Sequence, residues 1–412
     1  MKRPIAFLIS AVFLLTITPA ASAFSADDEE FLNKVQHDSF GYFLKEYDSK
    51  TGLIKDSSRP GSPSSLAAMG FGITALCIGE SKGWIGRKEA YDRILKILYT
   101  FKYGVPREHG FYYRFIDART GDRFLVSEIS SIDTAIFLAG ALFAGDYFKG
   151  TDIEKLAGEL YGDVDWSWMM NGRKTIGKGW LPEYGFLPET WDSYSEAMIL
   201  YALAIGSETH PIPKESWFAW KRDVDSYKGY EVIYASSGSL YTYQYSHAWI
   251  DFKDLYDADI NYFDNSVNAT KANRQFCIDN SSAHNAYGEN GWGLTACIGP
   301  EGYRDYGAKP GEGLNDGTIA PSGMAGSIVF DGANAVKGLK ELYKRYGNFL
   351  YGEYGFKDAV NPGKEWWAEE YLASDLGIAL IMIENYRTSM VWRKFMGLAP
   401  IQRWAASSFS KR

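Results

Sequence analysis

The chain has 412 residues, 46% of them hydrophobic and 23% charged, enough apolar material for a large buried core and too much for a disordered chain. Its formal net charge of −8, without any basic block, excludes a nucleic-acid partner whose phosphates would need neutralising. Three cysteines, Cys77, Cys277 and Cys297, are too few for a disulfide scaffold; a Cys277–Cys297 bridge and buried free thiols are both compatible with the sequence.

Residues 1–23 read as an export signal, with Lys2 and Arg3 at its start, an apolar run from Ile5 to Leu15, and Ala21-Ser22-Ala23 as a small-residue cleavage site. That run is too short to span a bilayer. A mature chain beginning near Phe24 is therefore expected, periplasmic or secreted and off the membrane. Taking Lys2 and Arg3 from the 43 basic residues, against 51 acidic, leaves it a charge of about −10. Residues 24–412 contain no Pro/Ser-rich linker and no low-complexity tract, so they are expected to form one domain, acting as a monomer.

From there two kinds of helix take turns. Glu29–Glu46, Arg87–Tyr103, Asp152–Val164, Pro213–Ser226, Tyr262–Asn280 and Asp331–Tyr346 are amphipathic; in the last, Val336, Leu339, Tyr343 and Tyr346 form one apolar stripe. Between them, Ser64–Gly79, Ser130–Gly145, Ser193–Ile205, Tyr245–Phe252, Pro321–Ile328 and Asp375–Ile383 are apolar or small nearly all round, and must be covered on every side. Six outer and six inner helices in alternation predict an all-α (α/α)6 toroid of six hairpins. Long aromatic loops accompany them, and Tyr103–Phe124 alternates like a small β-hairpin on the cleft face, turning through Arg119-Thr120-Gly121-Asp122.

In such a ring the residues ahead of the inner helices share one rim. Among those residues are Asp56, Glu128, Glu183, Glu189, Trp191, Asp192, Gln244, Asp316, Trp366, Trp367, Glu369 and Glu370, which make an acidic, aromatic cleft. Carboxyls beside aromatic rings suit a sugar: the rings stack on its C–H faces, and the acids serve its hydroxyls and glycosidic oxygen. Glycoside hydrolysis needs one carboxylic acid and a second carboxylate. Glu196 is a candidate acid, with Asp192 four residues before it, although Ser193-Tyr-Ser-Glu196 also has the form of a capping box. As an acid it would need burial to outweigh the helix dipole.

Ser130-Ser-Ile-Asp133 repeats that ambiguity, with Glu128 just outside the helix as the better substrate contact. Asp375 opens the last inner helix as an N-cap or as a group facing the ring's mouth, and Glu384 lies deeper, paired in the core. Tyr245 and His247 begin the fourth inner helix, where the imidazole either hydrogen-bonds a sugar hydroxyl or is structural. No P-loop, dinucleotide fingerprint or spaced zinc-ligand set occurs, and Asp251, Asp254, Asp257 and Asp259 lack the EF-hand glycine and terminal Glu, so no cofactor or metal is expected.

Several longer runs narrow the reading. Ser130-Ser-Ile-Asp133, Tyr194-Ser-Glu196-Ala-Met198, Gln244-Tyr-Ser-His247-Ala-Trp249, Ala272-Asn-Arg-Gln-Phe-Cys277, Trp292-Gly-Leu-Thr-Ala-Cys297, Asp316-Gly-Thr-Ile-Ala-Pro321 and Ile383-Glu-Asn-Tyr-Arg-Thr388 resemble the bacterial glucoamylase-like family. That family includes the endo-β-1,2-glucanases of glycoside hydrolase family 144, and the resemblance runs from about Phe31 to Met396. It implies an (α/α)6 fold and inverting hydrolysis of β-1,2-glucan to sophoro-oligosaccharides. It also implies Glu196 as acid, Asp375 as base, and Glu128 and Asp133 as ligands of sugar hydroxyls. Trp191, Asp192, Tyr245, His247, Asp316, Trp366 and Trp367 complete the expected sugar-binding set. The alternatives are an exo enzyme releasing sophorose, a glucoamylase acting on α-glucan, and a glycan-binding protein without catalysis.

Overall fold

The computed structural model describes residues 24–409; the expected export signal, residues 1–23, lies outside them. The helices are α1 (Ala26–Lys45), α2 (Leu66–Ser81), α3 (Arg87–Tyr103), α4 (Ser131–Tyr147), α5 (Asp152–Gly162), α6 (Trp166–Met170) and α7 (Met198–Gly206). They continue as α8 (Tyr262–Asp279), α9 (Pro321–Ala325), α10 (Gly332–Leu350), α11 (Ala373–Thr388), α12 (Met390–Met396) and α13 (Ala399–Ser408).

Burial separates the two kinds of helix as the pattern predicts. On α3 only Ala90, Ile94, Ile97, Leu98 and Phe101 are buried, whereas α4 is buried continuously from Ser131 to Gly145. The inner helices approach one another backbone to backbone. A Cβ on Gly70 of α2 would lie 2.1 Å from the Ile136 carbonyl oxygen of α4, and one on Gly140 would lie 2.2 Å from that of Gly70. No larger side chain fits at that crossing.

The ring then runs α2, α4, α7, a 3-10 turn at Ser246–Ala248, α9 and α11, and closes where α11 packs on α2. Hydrogen bonds link its shorter members: Ile199 N–H donates to Ser246 Oγ at 3.0 Å, and Gln244 Nε2 donates to the Gly323 carbonyl at 2.8 Å. The fold is an (α/α)6 toroid.

Several elements differ from the sequence reading. Pro213–Ser226 is one 3-10 segment, Lys214–Phe218, followed by a hairpin pairing Val224–Tyr227 with Tyr230–Ile233. Trp217 and Trp220 are buried here, with the Arg222 guanidinium 3.5 Å from the Trp220 ring centroid and 2.9 Å from Asp257. The outer cover of α7 comes instead from α13, so close that a Cβ on Gly206 would meet the Pro400 carbonyl oxygen at 2.1 Å. Tyr245–Phe252 contracts to the 3-10 turn, Pro321–Ile328 to α9, and α7 begins only at Met198. The expected turn through Arg119-Thr120-Gly121-Asp122 is present, with Ile116 bridged to Arg123 and Phe124 N–H donating to the Phe115 carbonyl at 3.0 Å. The unforeseen parts are a second hairpin turning at His109-Gly110, between Arg107–Glu108 and Phe111–Tyr112, and the pairing of Phe115–Ile116 with Ser64–Ser65. All three cysteines are free and buried, without a Cys277–Cys297 bridge.

Candidate active site

The residues preceding the inner helices, and the loops between them, meet around a cleft of about 750 Å³. Ile132 and Ile136 of α4, with Ala67 of α2, give it an apolar floor. Asp56, Glu128 and Glu370 line its wall, together with the aromatic rings of Phe115, Trp191, Tyr241, Tyr245 and Tyr303. A pit with apolar rings and convergent carboxyls fits a carbohydrate chain.

Glu196 projects into this cleft from the turn ahead of α7. Its side chain is buried, and its backbone carbonyl accepts from Ser246 Oγ at 2.6 Å. Burial pushes the carboxyl up to about 7; the nearby charges of Asp133 and Asp305 add to the rise, and Lys178 opposes it. A carboxyl in that range holds a proton near neutrality and can give it up, as a general acid must. Because α7 starts two residues later, the helix dipole acts on it less than a first-turn position would imply.

Asp133 does two things at once. Ser130 caps α4, its hydroxyl accepting from Asp133 N–H at 3.2 Å and donating to the Asp133 carboxylate at 2.6 Å. The same carboxylate lines the cleft 3.8 Å from Arg114, which is also 3.8 Å from Glu128. Trp191 is held by its indole N–H donating to Ser131 Oγ at 3.0 Å, with the Lys178 ammonium 4.7 Å from its ring centroid. Tyr245 packs edge-on against Phe71 and Tyr241, and senses the charges of both Glu196 and Asp375.

Asp375 lies in the first turn of α11 and is not its cap, since that helix has no side-chain cap. Its neighbours Leu372 and Ser374 line the cleft, while Asp375 itself borders a cavity of about 20 Å³ that adjoins the cleft at Leu372. Burial raises its pKa to about 6. Asp358 lies on the same cavity, raised well above the ordinary carboxyl range by burial and by the adjacent charge of Asp375.

Other expected contacts sit elsewhere. His247 is wholly buried, its Nε2 3.0 Å from Ser266 Oγ and its ring among Phe252, Phe263 and Phe330; burial pushes it down to about 3, a neutral core residue that cannot reach a sugar. Asp316 anchors a loop through Lys364 at 2.7 Å and Thr318 at 2.7 Å. Trp367 stacks on Phe349 at 4.4 Å, and Trp366 packs against a small cluster containing Cys297 and Tyr306. Asp192 is exposed beside the cleft without lining it. Gln244 is buried against α9, and Glu384 pairs with Lys82 at 2.7 Å in the core.

The sequence reading missed Arg114, Lys178, Tyr241, Tyr303 and Asp305 as wall residues, and Asp358 altogether. Arg114 carried a signal, lying opposite the start of an inner helix in the alternating segment. Tyr303 and Asp305 come from the hairpin Cys297–Gly299 with Gly302–Arg304 and the loop after it, which has no helical period to place it.

Residues 188–399 match the Glycoamylase family, described as "Putative glucoamylase". The chain is 30% identical, over 94% of its length, to an exo β-1,2-glucooligosaccharide sophorohydrolase (non-reducing end) from Parabacteroides distasonis, and spans 58% of that relative's length. It is similar in structure to an endo-β-1,2-glucanase from Chitinophaga pinensis in complex with sophorotriose and glucose. That likeness has a TM-score of 0.87 and 27% identity, covering 94% of this chain and 99% of that one. A β-1,2-glucanase from Parabacteroides distasonis superposes with a TM-score of 0.88 at 27% identity, covering 94% of this chain and 60% of that one. With its toroid, its cleft and this match over half its length, the chain belongs to the Glycoamylase family.

Proposed function

We propose that this chain is a glycoside hydrolase that cuts β-1,2-glucan into sophoro-oligosaccharides, acting within the chain and inverting the anomeric carbon. The observation that carries the reading is Glu196, a buried carboxyl raised to about 7 inside a cleft walled by acids and aromatic rings. Glu196 protonates the leaving glycosidic oxygen. Asp375 draws the proton from the attacking water, through an intervening hydroxyl because the carboxyl borders the adjoining cavity and does not line the cleft. Glu128 and Asp133, with Arg114 between them, hold sugar hydroxyls, and Trp191 and Tyr245 stack on glucose rings. The β-1,2 linkage is supported by the names of the similar proteins.

Endo action is supported by a groove of about 520 Å³ that continues the cleft past Asp56, Phe115, Glu128 and Glu370 toward Leu125 and Val126, leaving room for glucan beyond the cleavage point. The 30%-identical relative favours a second reading, exo release of sophorose. Reducing-sugar release from linear β-1,2-glucan, set against starch, laminarin and cellulose, tests the reaction. Early products of mixed length support endo action, and sophorose alone supports exo. Binding without release would leave a glycan-binding protein, and release from starch alone a glucoamylase. The leader-like residues 1–23 support export to the periplasm or beyond, which N-terminal sequencing of the mature protein checks.

A further inference from the structure

Next to the cleft, on the far side of Leu372, two buried carboxyls share one small cavity. Asp358 and Asp375 are 3% and 8% exposed, and the cavity between them, about 20 Å³, has room for roughly one water. Its other walls include Val35, Pro321, Phe356 and Leu376, together with Ser322, whose hydroxyl also lowers the pKa of Asp375 through a hydrogen bond. Lys357, the cation on this wall, is engaged with Glu369 at 2.8 Å. Among the described residues, the other titratable groups that sense the pair most strongly are Asp56, Glu370, Tyr245, Tyr303 and Cys297, and none of these is cationic.

Two carboxylates so placed do not both stay charged, because room for one water and no free cation leaves the second charge largely uncompensated. One oxygen of each, Asp358 Oδ1 and Asp375 Oδ2, is buried without an ordinary hydrogen-bond partner. The two carboxyls are hydrogen-bonded to each other, which requires a single proton held between them. The other oxygen of Asp358 accepts the Ile298 backbone N–H at 2.5 Å, which fixes that carboxyl to the hairpin carrying Tyr303.

We propose that Asp358 is a positioning residue for the hydrolytic reaction: it keeps a proton, donates it in a hydrogen bond to Asp375, and so holds the Asp375 carboxylate ionised and aimed at the cleft. The proposal rests on the reading of Asp375 as the base. Asp358 touches no substrate; it ties the aim of Asp375 to the hairpin at Cys297–Arg304. The hydrogen bond lowers the pKa of Asp375 and raises that of Asp358, the direction expected if Asp358 is the donor.

The test uses Asp358→Asn, Asp358→Ala and Asp375→Asn in the full chain. An Asn amide can donate to Asp375 as a neutral carboxyl does, and still offers an oxygen to Ile298. Asp358→Ala is expected to lower kcat roughly a hundredfold and move the acid limb of the pH profile upward, with Asp358→Asn recovering most of both losses. Asp358→Asn as impaired as Asp358→Ala overturns the proposal. Should the Ala variant fail to fold, infrared spectroscopy decides. Well above the pH at which Glu196 ionises, the wild type should show the carbonyl stretch of a protonated carboxyl that Asp358→Asn removes; its absence from the wild type, or its survival in the variant, overturns the pair. Full turnover in Asp375→Asn would instead sink the base reading, while loss of the infrared band in Asp358→Asn would still support the shared proton.

Discussion

Two inner helices begin with the same four-residue pattern, a serine followed three residues later by an acid, and the fold treats them differently. At Ser130-Ser-Ile-Asp133 the serine caps α4 and the acid accepts its hydroxyl, so Asp133 stays in a reciprocal hydrogen bond even while facing the cleft. At Ser193-Tyr-Ser-Glu196 no cap forms. Lys221 N–H donates to the Asp192 carbonyl at 2.8 Å and Tyr194 N–H to the Lys221 carbonyl at 3.1 Å, which keeps 192–194 extended and delays α7 to Met198. Glu196 is thereby freed from capping, and burial raises it. A capping acid and a catalytic acid look alike in sequence, and the neighbouring strand decides between them.

The sharpest way to break this comparison is kinetic. Glu196→Gln should lower kcat on β-1,2-glucan by about 10²–10⁴-fold, the range of a lost general acid. An equal loss in Asp133→Asn with an unchanged KM would erase the distinction. The wild-type pH profile should fall on its alkaline side near 7 as Glu196 ionises, and on its acid side near 6 as Asp375 takes up its proton.

Stability against pH comes next in size. Below the ordinary Glu value of 4.5 both folded and unfolded chains hold the Glu196 proton. As pH rises from there the unfolded chain releases it first, so folded stability falls until the site itself ionises near 7. Removing this loss, Glu196→Gln should be more stable relative to wild type at pH 8 than at pH 4 by about 3 kcal/mol, read from urea unfolding at both pH values. The same stability gap at both would mean that Glu196 is not held neutral by burial.

Smaller effects separate the two serines. Ser130→Ala loses the α4 cap and should cost about 1 kcal/mol. Ser193→Ala, where no cap exists, should stay within about 0.5 kcal/mol. Thermal melts of the two variants compare them directly, and equal costs would show a hidden cap at α7.

Much of the scaffold was legible in the chain. The ends of α3 and α8 fall close to where apolar periodicity puts them, and α11 exists where expected but runs five residues past Ile383, because a helix with one apolar stripe, or with none exposed, records its surroundings in its own period. The segments that depend on distant partners left no such trace. Pro213–Ser226 reads as helical, yet Trp217 and Arg222 are recruited by Asp257; the cover over α7 comes from the far end of the chain. His247 stands among rim residues in sequence and in the core in space, because its turn rolls inward toward Phe252, Phe263 and Phe330.

By itself the sequence determined which helices are wrapped and which are wet, hence the closed ring and an acidic, aromatic mouth at its rim. Only the tertiary structure decided which carboxyls lose water. The raised pKa of Glu196 and the pairing of Asp375 with Asp358 follow from desolvation and neighbouring charge, and the exclusion of Asp316, Trp366 and Trp367 from the cleft follows from their partners Lys364, Phe349 and the Cys297–Tyr306 cluster. Those depend on distances between residues far apart along the chain, which no local pattern encodes.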